Sequence, residues 1–277
     1  MTATWPTVRL TVGRDQIELA SADLWDLGTT GIAEHDGTTV ATALLVAGFP
    51  SAALAAAATE ALDPRWSPVV DIVDGADWLD AWREHFEPFR EGRIMVIPAW
   101  KHAVRPPTDD DDVLIDLDPG RAFGTGAHPS TALVLGALQQ LVRGGERVID
   151  VGCGRGVLSV AAALLGADNV VATDIDTDAL AMTSENAERN GVAARITITA
   201  EPVHALAGDF DIVVANILAP VLIELAPAIA ALVAPRGRLI LSGLIEEQAG
   251  RVAAAYPGFS VTVNSARDPW RCLTLAR

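Results

Sequence analysis

The hydrophobic and polar positions of the first 75 residues follow strand and helix periods in turn, which predicts a small mixed domain. Strands are predicted at residues 7–12, 32–35, 39–46 and 69–73, and helices at about 15–27 and 52–62. Gly31, Gly37, Pro50 and the Asp63-Pro64 pair separate these elements. The resulting βαββαβ order is that of an α+β ferredoxin-like domain.

From residue 147 onward, short apolar runs alternate with helical segments. Strands are predicted at residues 148–151, 170–174, 196–199, 212–216 and 239–242, with a helix beginning near 246 and late strands at 260–263 and 272–275. Continuous apolar runs of this kind are typical of parallel strands that are covered on both faces. A short turn at residues 267–269 predicts that the last two strands form an antiparallel hairpin at one edge. The fold class is therefore a Rossmann-like α/β sheet preceded by the small domain.

The segment between these two regions carries a different pattern. Residues 77–86, DWLDAWREHF, predict an amphipathic helix with Trp78, Trp82 and Phe86 on one face. We expect these aromatic residues to pack between two domains, with ligand binding as the alternative. A strand at 94–97 then leads through an acidic loop at 105–112 to a strand at 113–117. The run Asp109 to Asp112 in that loop is predicted to be solvated rather than to bind a metal.

Composition and charge narrow the possible partners. The chain has 277 residues, of which 36 are acidic and 20 basic, giving a formal net charge of −16. A protein that binds nucleic acid usually carries the opposite charge, so direct binding of DNA or RNA is disfavoured and a basic partner is permitted. The first 75 residues contain ten acidic residues and three arginines. They carry no combination typical of catalysis, which favours substrate recognition.

Other features of the sequence predict a cytoplasmic protein without a metal centre. The first residues lack a basic segment followed by an apolar one, so no secretory signal is expected. The uncharged run from Val40 to Ala58 is interrupted by Pro50 and is better explained by buried strand and helix than by a membrane span. Cys153 and Cys272 are isolated, which predicts neither a disulfide nor a zinc site.

A glycine-rich segment follows the first strand of the larger sheet. It comprises Asp150, Gly152, Gly154 and Gly156, each separated by one residue. Glycines at this place let the backbone approach a ligand at the carboxyl edge of the sheet. A dinucleotide fingerprint would require a further glycine at position 157, where this chain has Val157. The spacing instead resembles the cofactor loop of class I S-adenosylmethionine-dependent methyltransferases.

An acidic residue at the end of the next predicted strand supports this resemblance. Asp174 follows the glycine loop by about one strand–helix unit, where a carboxylate can accept hydrogen bonds from both hydroxyls of a ribose. Asp176 is the competing candidate. It lies beyond the strand, where it is expected to start the following helix.

Several further segments indicate a specific family. Residues 117–131, LDPGRAFGTGAHPST, precede the large sheet, and Asn216 to Ala219, NILA, end its fourth strand. Together with residues 77–86 and 98–100, the LSGLIEEQ segment and Trp270, they resemble the bacterial methyltransferases of large-subunit ribosomal protein eleven, L11. The resemblance runs from about residue 77 to the end. It implies a division into a substrate-recognition domain (1–75), a linker helix and strand (76–100) and an S-adenosylmethionine-dependent methyltransferase domain (101–277).

The resemblance also implies roles for individual residues. The cofactor-binding positions are Thr131, Asp150, Gly152, Gly154, Asp174 and Asn216, and the loop that borders the substrate entrance contains Phe123, Thr125, Gly126 and His128. Arg155 and Ala127 depart from the Ser and Thr that are usual in the family. We expect cofactor binding to survive both changes and Arg155 to alter the outer surface of the glycine loop.

The NILA segment suggests the type of acceptor. Enzymes that methylate planar nitrogens often have two prolines and an aromatic residue here, whereas this chain has Ile217, Leu218 and Ala219. An sp³ amine suits such a site better, and Asn216 is the expected catalytic residue. The expected function is methyl transfer from S-adenosyl-L-methionine to lysine and N-terminal amines of L11 by a monomeric enzyme. Alternatives are a lysine methyltransferase of another protein, such as electron-transfer flavoprotein, or a non-catalytic assembly factor that binds the cofactor.

Overall fold

A computed structural model describes residues 4–29, 31–74, 87–101, 109–118 and 128–277. The chain divides into two compact units, one of residues 1–86 with 121–123 and one of residues 87–120 with 124–277. The helix predicted over residues 77–86 and the first half of the predicted acidic loop, residues 105–108, lie outside the described residues. Within the described ranges, no helix is long and apolar enough to cross a membrane.

The first unit has the predicted ferredoxin-like order of elements. These are β1 (Thr4–Gly13), α1 (Ile17–Asp26), β2 (Gly31–Asp36), β3 (Thr42–Gly48), α2 (Ala52–Ala61) and β4 (Val69–Asp74). The strands form an antiparallel sheet in the order β2-β3-β1-β4, which confirms the prediction. β3 begins three residues later than predicted because residues 37–42 form a turn, in which the Gly37 N–H donates to the Thr42 carbonyl (3.1 Å).

The core of this unit lies on one face of its sheet. Alternate residues of β3, namely Ala43, Leu45 and Ala47, are fully buried, and the residues between them are partly exposed. They belong to one cluster with Leu24 of α1 and Ala55 of α2. Alternation with a period of two therefore places the helices on a single face of the sheet.

The second unit begins with a small three-stranded sheet. It contains β5 (Phe89–Glu91), β6 (Ile94–Pro98) and β7 (Val113–Leu117), with β6 antiparallel to β5 and parallel to β7. The sequence did not predict β5, since three residues are too few to show a period. Asp112 differs from the solvated residue that we expected, because its side chain is only 4% exposed and accepts two hydrogen bonds from Arg90 (2.6 and 2.7 Å).

The large sheet has the order β10-β9-β8-β11-β12-β14-β13. Its strands are β8 (Arg147–Val151), β9 (Asn169–Thr173), β10 (Ile196–Thr199), β11 (Phe210–Asn216), β12 (Val233–Ile245), β13 (Ser260–Arg267) and β14 (Trp270–Ala276). β8 to β12 are parallel to one another, and β14 is antiparallel to both β12 and β13. This arrangement confirms the predicted Rossmann-like sheet with an antiparallel C-terminal hairpin.

Helices cover both faces of this sheet. They are α3 (Pro129–Leu141), α4 (Val157–Leu165), α5 (Thr177–Arg189), α6 (Ala219–Glu224), α7 (Ala226–Ala231) and α8 (Glu246–Ala254). One core contains alternate strand residues such as Val148 and Val214 with side chains of α3, α4 and α5. The other contains Ile149 and Val213 with side chains of α6, α7 and α8. β7 contacts α4 and α5, so these helices lie between the two sheets.

Candidate active site

Three adjacent parallel strands place the predicted site residues at one edge of the large sheet. β8 lies between β9 and β11, so the carboxyl ends of all three meet there. Asp150 and the glycine loop end β8, Asp174 directly follows β9, and Asn216 is the last residue of β11. Such an edge is where open α/β sheets bind ligands.

The glycine loop needs its glycines for two different reasons. Gly152, Gly154 and Gly156 have φ angles of +72°, +53° and +77°, which other residues adopt with strain. A Cβ on Gly152 would lie 2.4 Å from Ile217 Cγ2, and one on Gly156 would lie 2.6 Å from Thr183 Cγ2. A Cβ on Gly154 would meet no atom within 4 Å. Gly154 is therefore the glycine that faces open space, where a ligand could approach the backbone.

Asp174 holds the glycine loop against the end of β9. Its Oδ2 accepts the Gly154 N–H (2.8 Å), and its Oδ1 accepts the Asp176 N–H (3.0 Å). An ionised carboxylate offers about four lone-pair directions, so two remain for a ligand's hydroxyls. Asp176 caps α5 by accepting the Asp178 N–H (2.9 Å), the role expected from the sequence.

Asp150 is a buried carboxylate with one free oxygen. Its Oδ2 accepts a hydrogen bond from the Ser159 hydroxyl (2.6 Å), whereas its Oδ1 has no partner within the described part of the chain. Burial raises its pKa to about 6, and the charge of Asp174 adds to that shift. A cationic group of a ligand would satisfy this oxygen. Burial also raises the pKa of the adjacent Cys153 thiol, which excludes it as a thiolate nucleophile at neutral pH.

The side-chain amide of Asn216 is hydrogen-bonded through its nitrogen but not, among the described residues, through its oxygen. Its Nδ2 donates to the hydroxyl of Thr131 in the first turn of α3 (3.2 Å). Its Oδ1 is buried and has no hydrogen-bond partner among the residues described. The helix that follows, α6, begins at Ala219 without a side-chain cap, so Asn216 does not serve as its cap. The amide oxygen therefore has a hydrogen-bonding capacity that the described residues leave unused.

The first turn of α3 is fixed by two further contacts. His128 caps the helix, with its Nδ1 accepting the Ser130 N–H (3.3 Å), and its ring packs edge-on against Trp270 at 4.4 Å between centroids. Burial lowers the His128 pKa to about 4, so the ring is neutral at neutral pH. Ser242 of β12 donates to the Ser130 carbonyl (3.2 Å). Phe123, Thr125 and Gly126 of the predicted entrance loop lie outside the described residues.

Arg155 differs from the sequence-based expectation. We expected it to alter the outer surface of the loop, but the structure buries it to 7% exposure. Burial lowers the pKa of its guanidinium, and the carboxylates of Asp118 and Asp176 oppose that shift. A buried arginine needs such negative neighbours, and these come from segments distant in sequence.

Two exposed apolar residues lie beside the predicted site residues, and the sequence analysis neither identified Ile175 nor predicted the exposure of Leu218. Ile175 follows Asp174 and is 91% exposed, and Leu218 lies two residues after Asn216 and is 61% exposed. Large apolar side chains that are exposed at the mouth of a site are candidates for contact with a ligand. Their position beside the polar site residues is the signal that could have found them.

Within the described ranges, no three His, Cys, Asp or Glu side chains are grouped as metal ligands would be. The residues at this edge of the sheet offer a glycine-rich loop, two carboxylates and an amide oxygen. This combination suits an organic ligand that carries hydroxyl and ammonium groups.

Comparison with known proteins identifies the family. The family model for Ribosomal protein L11 methyltransferase (PrmA) matches residues 4–277. The chain is 40% identical over 292 residues to the Ribosomal protein L11 methyltransferase of Ralstonia pickettii (strain 12J), covering 95% of this chain and 96% of that protein. It is 44% identical over 217 residues to that of Geobacter sp. (strain M21), covering 76% and 70% respectively. The crystal structure of ribosomal protein L11 methylase from Lactobacillus delbrueckii subsp. bulgaricus is similar, with a TM-score of 0.64, 31% identity and coverage of 69% of this chain and 99% of that one. This chain belongs to the ribosomal protein L11 methyltransferase family.

Proposed function

We propose that this protein transfers methyl groups from S-adenosyl-L-methionine to amino groups of ribosomal protein L11, at lysine side chains and the N-terminal amine. The observation that carries the proposal is the buried amide oxygen of Asn216, which has no partner among the described residues and lies at the same sheet edge as the glycine loop. The family of the chain supports this function over methylation of electron-transfer flavoprotein and over a non-catalytic role.

The residues at this edge fit the parts of the cofactor. Asp174 has two lone-pair directions left for the ribose hydroxyls, and Gly154 leaves room for close approach to the backbone. The free oxygen of Asp150 suits the ammonium of the methionine end. Ile175 offers an exposed apolar surface for the adenine. When bound, the cofactor supplies a methyl group on a positively charged sulfur.

The acceptor must be a neutral amine to attack the methyl group. A lysine amine has a pKa near 10.4 in water, and both burial and a nearby positive charge lower it. Asn216 Oδ1 then accepts an N–H of the amine and directs its lone pair, while the Thr131 hydroxyl fixes the orientation of the amide. His128 is a weak base, given its lowered pKa. Positioning of the amine, rather than a strong base, therefore supplies most of the catalysis.

The residues after Asn216 favour an amine over a planar nitrogen. Ile217, Leu218 and Ala219 provide no aromatic ring on which an amide or base could stack. Leu218 is exposed and can contact the aliphatic part of a lysine side chain. With the aliphatic part held by this apolar contact, the amine can donate its N–H to Asn216.

The acidic N-terminal domain is proposed to recognise the basic substrate. Among the described residues, its core cluster contains only residues between Val8 and Trp66, all of which this domain supplies itself. Removal of residues 1–75 should abolish methylation of L11 and leave cofactor binding measurable by calorimetry. Full activity of the truncated protein would show that recognition resides elsewhere.

Purified L11 provides the test of the proposed function. Incubation with cofactor labelled in the methyl group should transfer label to L11, and mass spectrometry should locate it on amines. Asn216→Ala serves as the control, because it should bind the cofactor and transfer little label. Absence of transfer by the wild-type protein, with cofactor binding intact, would overturn L11 as the substrate.

A further inference from the structure

A row of polar side chains on α5 and on its C-cap residue faces inward, toward the glycine loop and the small sheet. Thr183, Asn186 and Asn190 are spaced three and four residues apart and therefore share one side of the helix. Thr183 and Asn186 have no exposed surface. Because buried polar groups are expensive unless they are paired, this row must have specific partners.

The two asparagines bind the backbone of β7 and of the residue that follows it. Asn186 Oδ1 accepts the Asp118 N–H (2.8 Å) and its Nδ2 donates to the Asp118 carbonyl (3.1 Å). Asn190 makes the same pair of bonds with Asp116, both of 2.8 Å. Residues four apart on a helix rise by about 6 Å, and residues two apart on a strand by about 6.6 Å. The asparagines thus pair with β7 as a neighbouring strand would.

Asn186 has a second contact that Asn190 lacks. Its Nδ2 also donates to the Arg155 carbonyl of the glycine loop (3.0 Å), whereas Asn190 Nδ2 donates to the carbonyl of Asn186 within the helix (2.7 Å). Thr183 donates its hydroxyl to the preceding loop carbonyl, that of Gly154 (2.8 Å). Two successive carbonyls of the glycine loop are therefore held by α5.

These bonds act on the part of the loop that faces open space. The Gly154 N–H is bonded to Asp174 on one side, and the Gly154 and Arg155 carbonyls are bonded to α5 on the other. Gly154 has a φ angle of +53° here, and a glycine can adopt many other conformations when these bonds are absent. A loop that must order itself on binding loses affinity relative to one that is ordered beforehand.

We propose that Asn186, with Thr183, is a positioning residue that orders the glycine loop before the cofactor binds and ties the loop to the end of β7. The inference rests on the proposed binding of S-adenosylmethionine at this loop. Asn186 does not touch the cofactor in this role. It acts through the Arg155 carbonyl and the backbone of Asp118.

Asn186→Ala and Asn190→Ala form a matched pair for the test, because each removes one two-bond contact with the backbone of residues 116–118 and only the first also releases a carbonyl of the glycine loop. In the full-length protein, Asn186→Ala should raise the Kd for S-adenosylmethionine about tenfold, and Asn190→Ala less than about twofold. Hydrogen exchange without cofactor should quicken at residues 152–156 in Asn186→Ala and stay at the wild-type rate in Asn190→Ala.

Thr183→Val extends the test should Asn186→Ala fail to fold, since valine keeps the shape and removes the bond to Gly154. It should raise the Kd and quicken exchange of the loop in the same direction. Equal effects of the Asn186 and Asn190 variants, or an unchanged loop in both Asn186→Ala and Thr183→Val, would overturn the inference. Failure of the wild-type protein to bind the cofactor would instead overturn the proposed function. Hydrogen exchange, which is measured without cofactor, would still test whether Asn186 and Thr183 order the loop.

Discussion

Gly152 and Ile217 lie in direct contact, so that a Cβ on Gly152 would be 2.4 Å from Cγ2 of Ile217. The contact joins the glycine loop after β8 to the residue that follows Asn216. Gly243 approaches the same residue from β12, and its Cβ would lie 2.5 Å from the Ile217 carbonyl oxygen. The position of Asn216 thus depends on two glycines that leave room for Ile217.

Replacement of Gly152 by alanine should destabilise the protein more than replacement of Gly154. Both residues have positive φ angles, which cost alanine about 1 kcal/mol. Gly152→Ala additionally drives a methyl group into Ile217, for about 1–3 kcal/mol more, whereas Gly154→Ala points into open space. Urea unfolding measures the difference, and equal losses in the two variants would contradict the packing described. Gly154→Ala should instead weaken cofactor binding.

Asn216→Ala should separate catalysis from cofactor binding. We expect kcat to fall about 10²–10³-fold, because the amine loses the acceptor that orients it. The Kd for the cofactor should change by less than about fivefold, since the glycine loop and Asp174 are intact. Single-turnover kinetics and calorimetry measure the two quantities. Unchanged turnover would refute the role of Asn216.

Thr131→Val should lower kcat less than Asn216→Ala does, and the two variants are compared for that reason. Valine keeps the shape of threonine and removes the hydroxyl that accepts the Asn216 Nδ2–H. Loss of this one hydrogen bond should lower kcat by about tenfold, less than the loss of Asn216 itself. A larger effect on the cofactor Kd than on kcat would show that Thr131 acts on the cofactor and not through Asn216.

Asp150→Asn should change the pH dependence of stability in a defined direction. Burial raises the pKa of Asp150 to about 6 from an unfolded value near 4, so between these values the folded state holds more protons. The stability contributed by the protonated carboxyl is therefore lost as the pH rises through about 6. Asparagine resembles the protonated form and does not titrate. The unfolding free energy of the variant relative to wild type should rise by up to about 3 kcal/mol between about pH 4 and pH 7.

The difference between the two proteins, rather than either profile alone, is the quantity to measure. His128 has a lowered pKa and acts in the opposite direction, since its contribution is present above its unfolded pKa and lost as the pH falls. It is common to both proteins and cancels in the difference. A constant difference across this pH range would mean that Asp150 is not a buried titrating group.

Ile175→Ser should weaken cofactor binding with little change in stability. The side chain is 91% exposed, so its replacement should alter the unfolding free energy by less than about 0.5 kcal/mol. Val263→Ser on β13, where the valine is 51% exposed, is the matched control and should leave the Kd unchanged. Equal Kd values for the two variants would exclude a contact between Ile175 and the adenine.

The sequence predicts the elements whose periods are long or strongly apolar, and it fails where a strand is interrupted. β8 and β11 were predicted closely because their apolar runs are continuous. β12 extends from Val233 to Ile245, well beyond the predicted 239–242, because its early residues include Pro235 and Gly237 and resemble a turn. The strand continues through them with a register shift opposite Phe210 and Ile212.

The site residues that the sequence predicts lie in short contiguous motifs, and those that it misses have partners distant in sequence. The glycine loop, Asp174 and Asn216 lie in motifs that are contiguous in sequence. Asn186 was not identified, because a polar residue on a helix is usually exposed and its partner Asp118 lies 68 residues away. The burial of Arg155 was likewise hidden, since the carboxylates beside it come from two other segments.

The substrate is tested most directly in a lysate of cells that lack this gene, incubated with the protein and with S-adenosylmethionine labelled in its methyl group. All cellular proteins then compete for the same site, so no substrate is chosen in advance. We expect label on one small basic ribosomal protein, identified by mass spectrometry as L11 and unlabelled when Asn216→Ala replaces the wild-type protein. Label on other proteins alone, with L11 present and unlabelled, would contradict it.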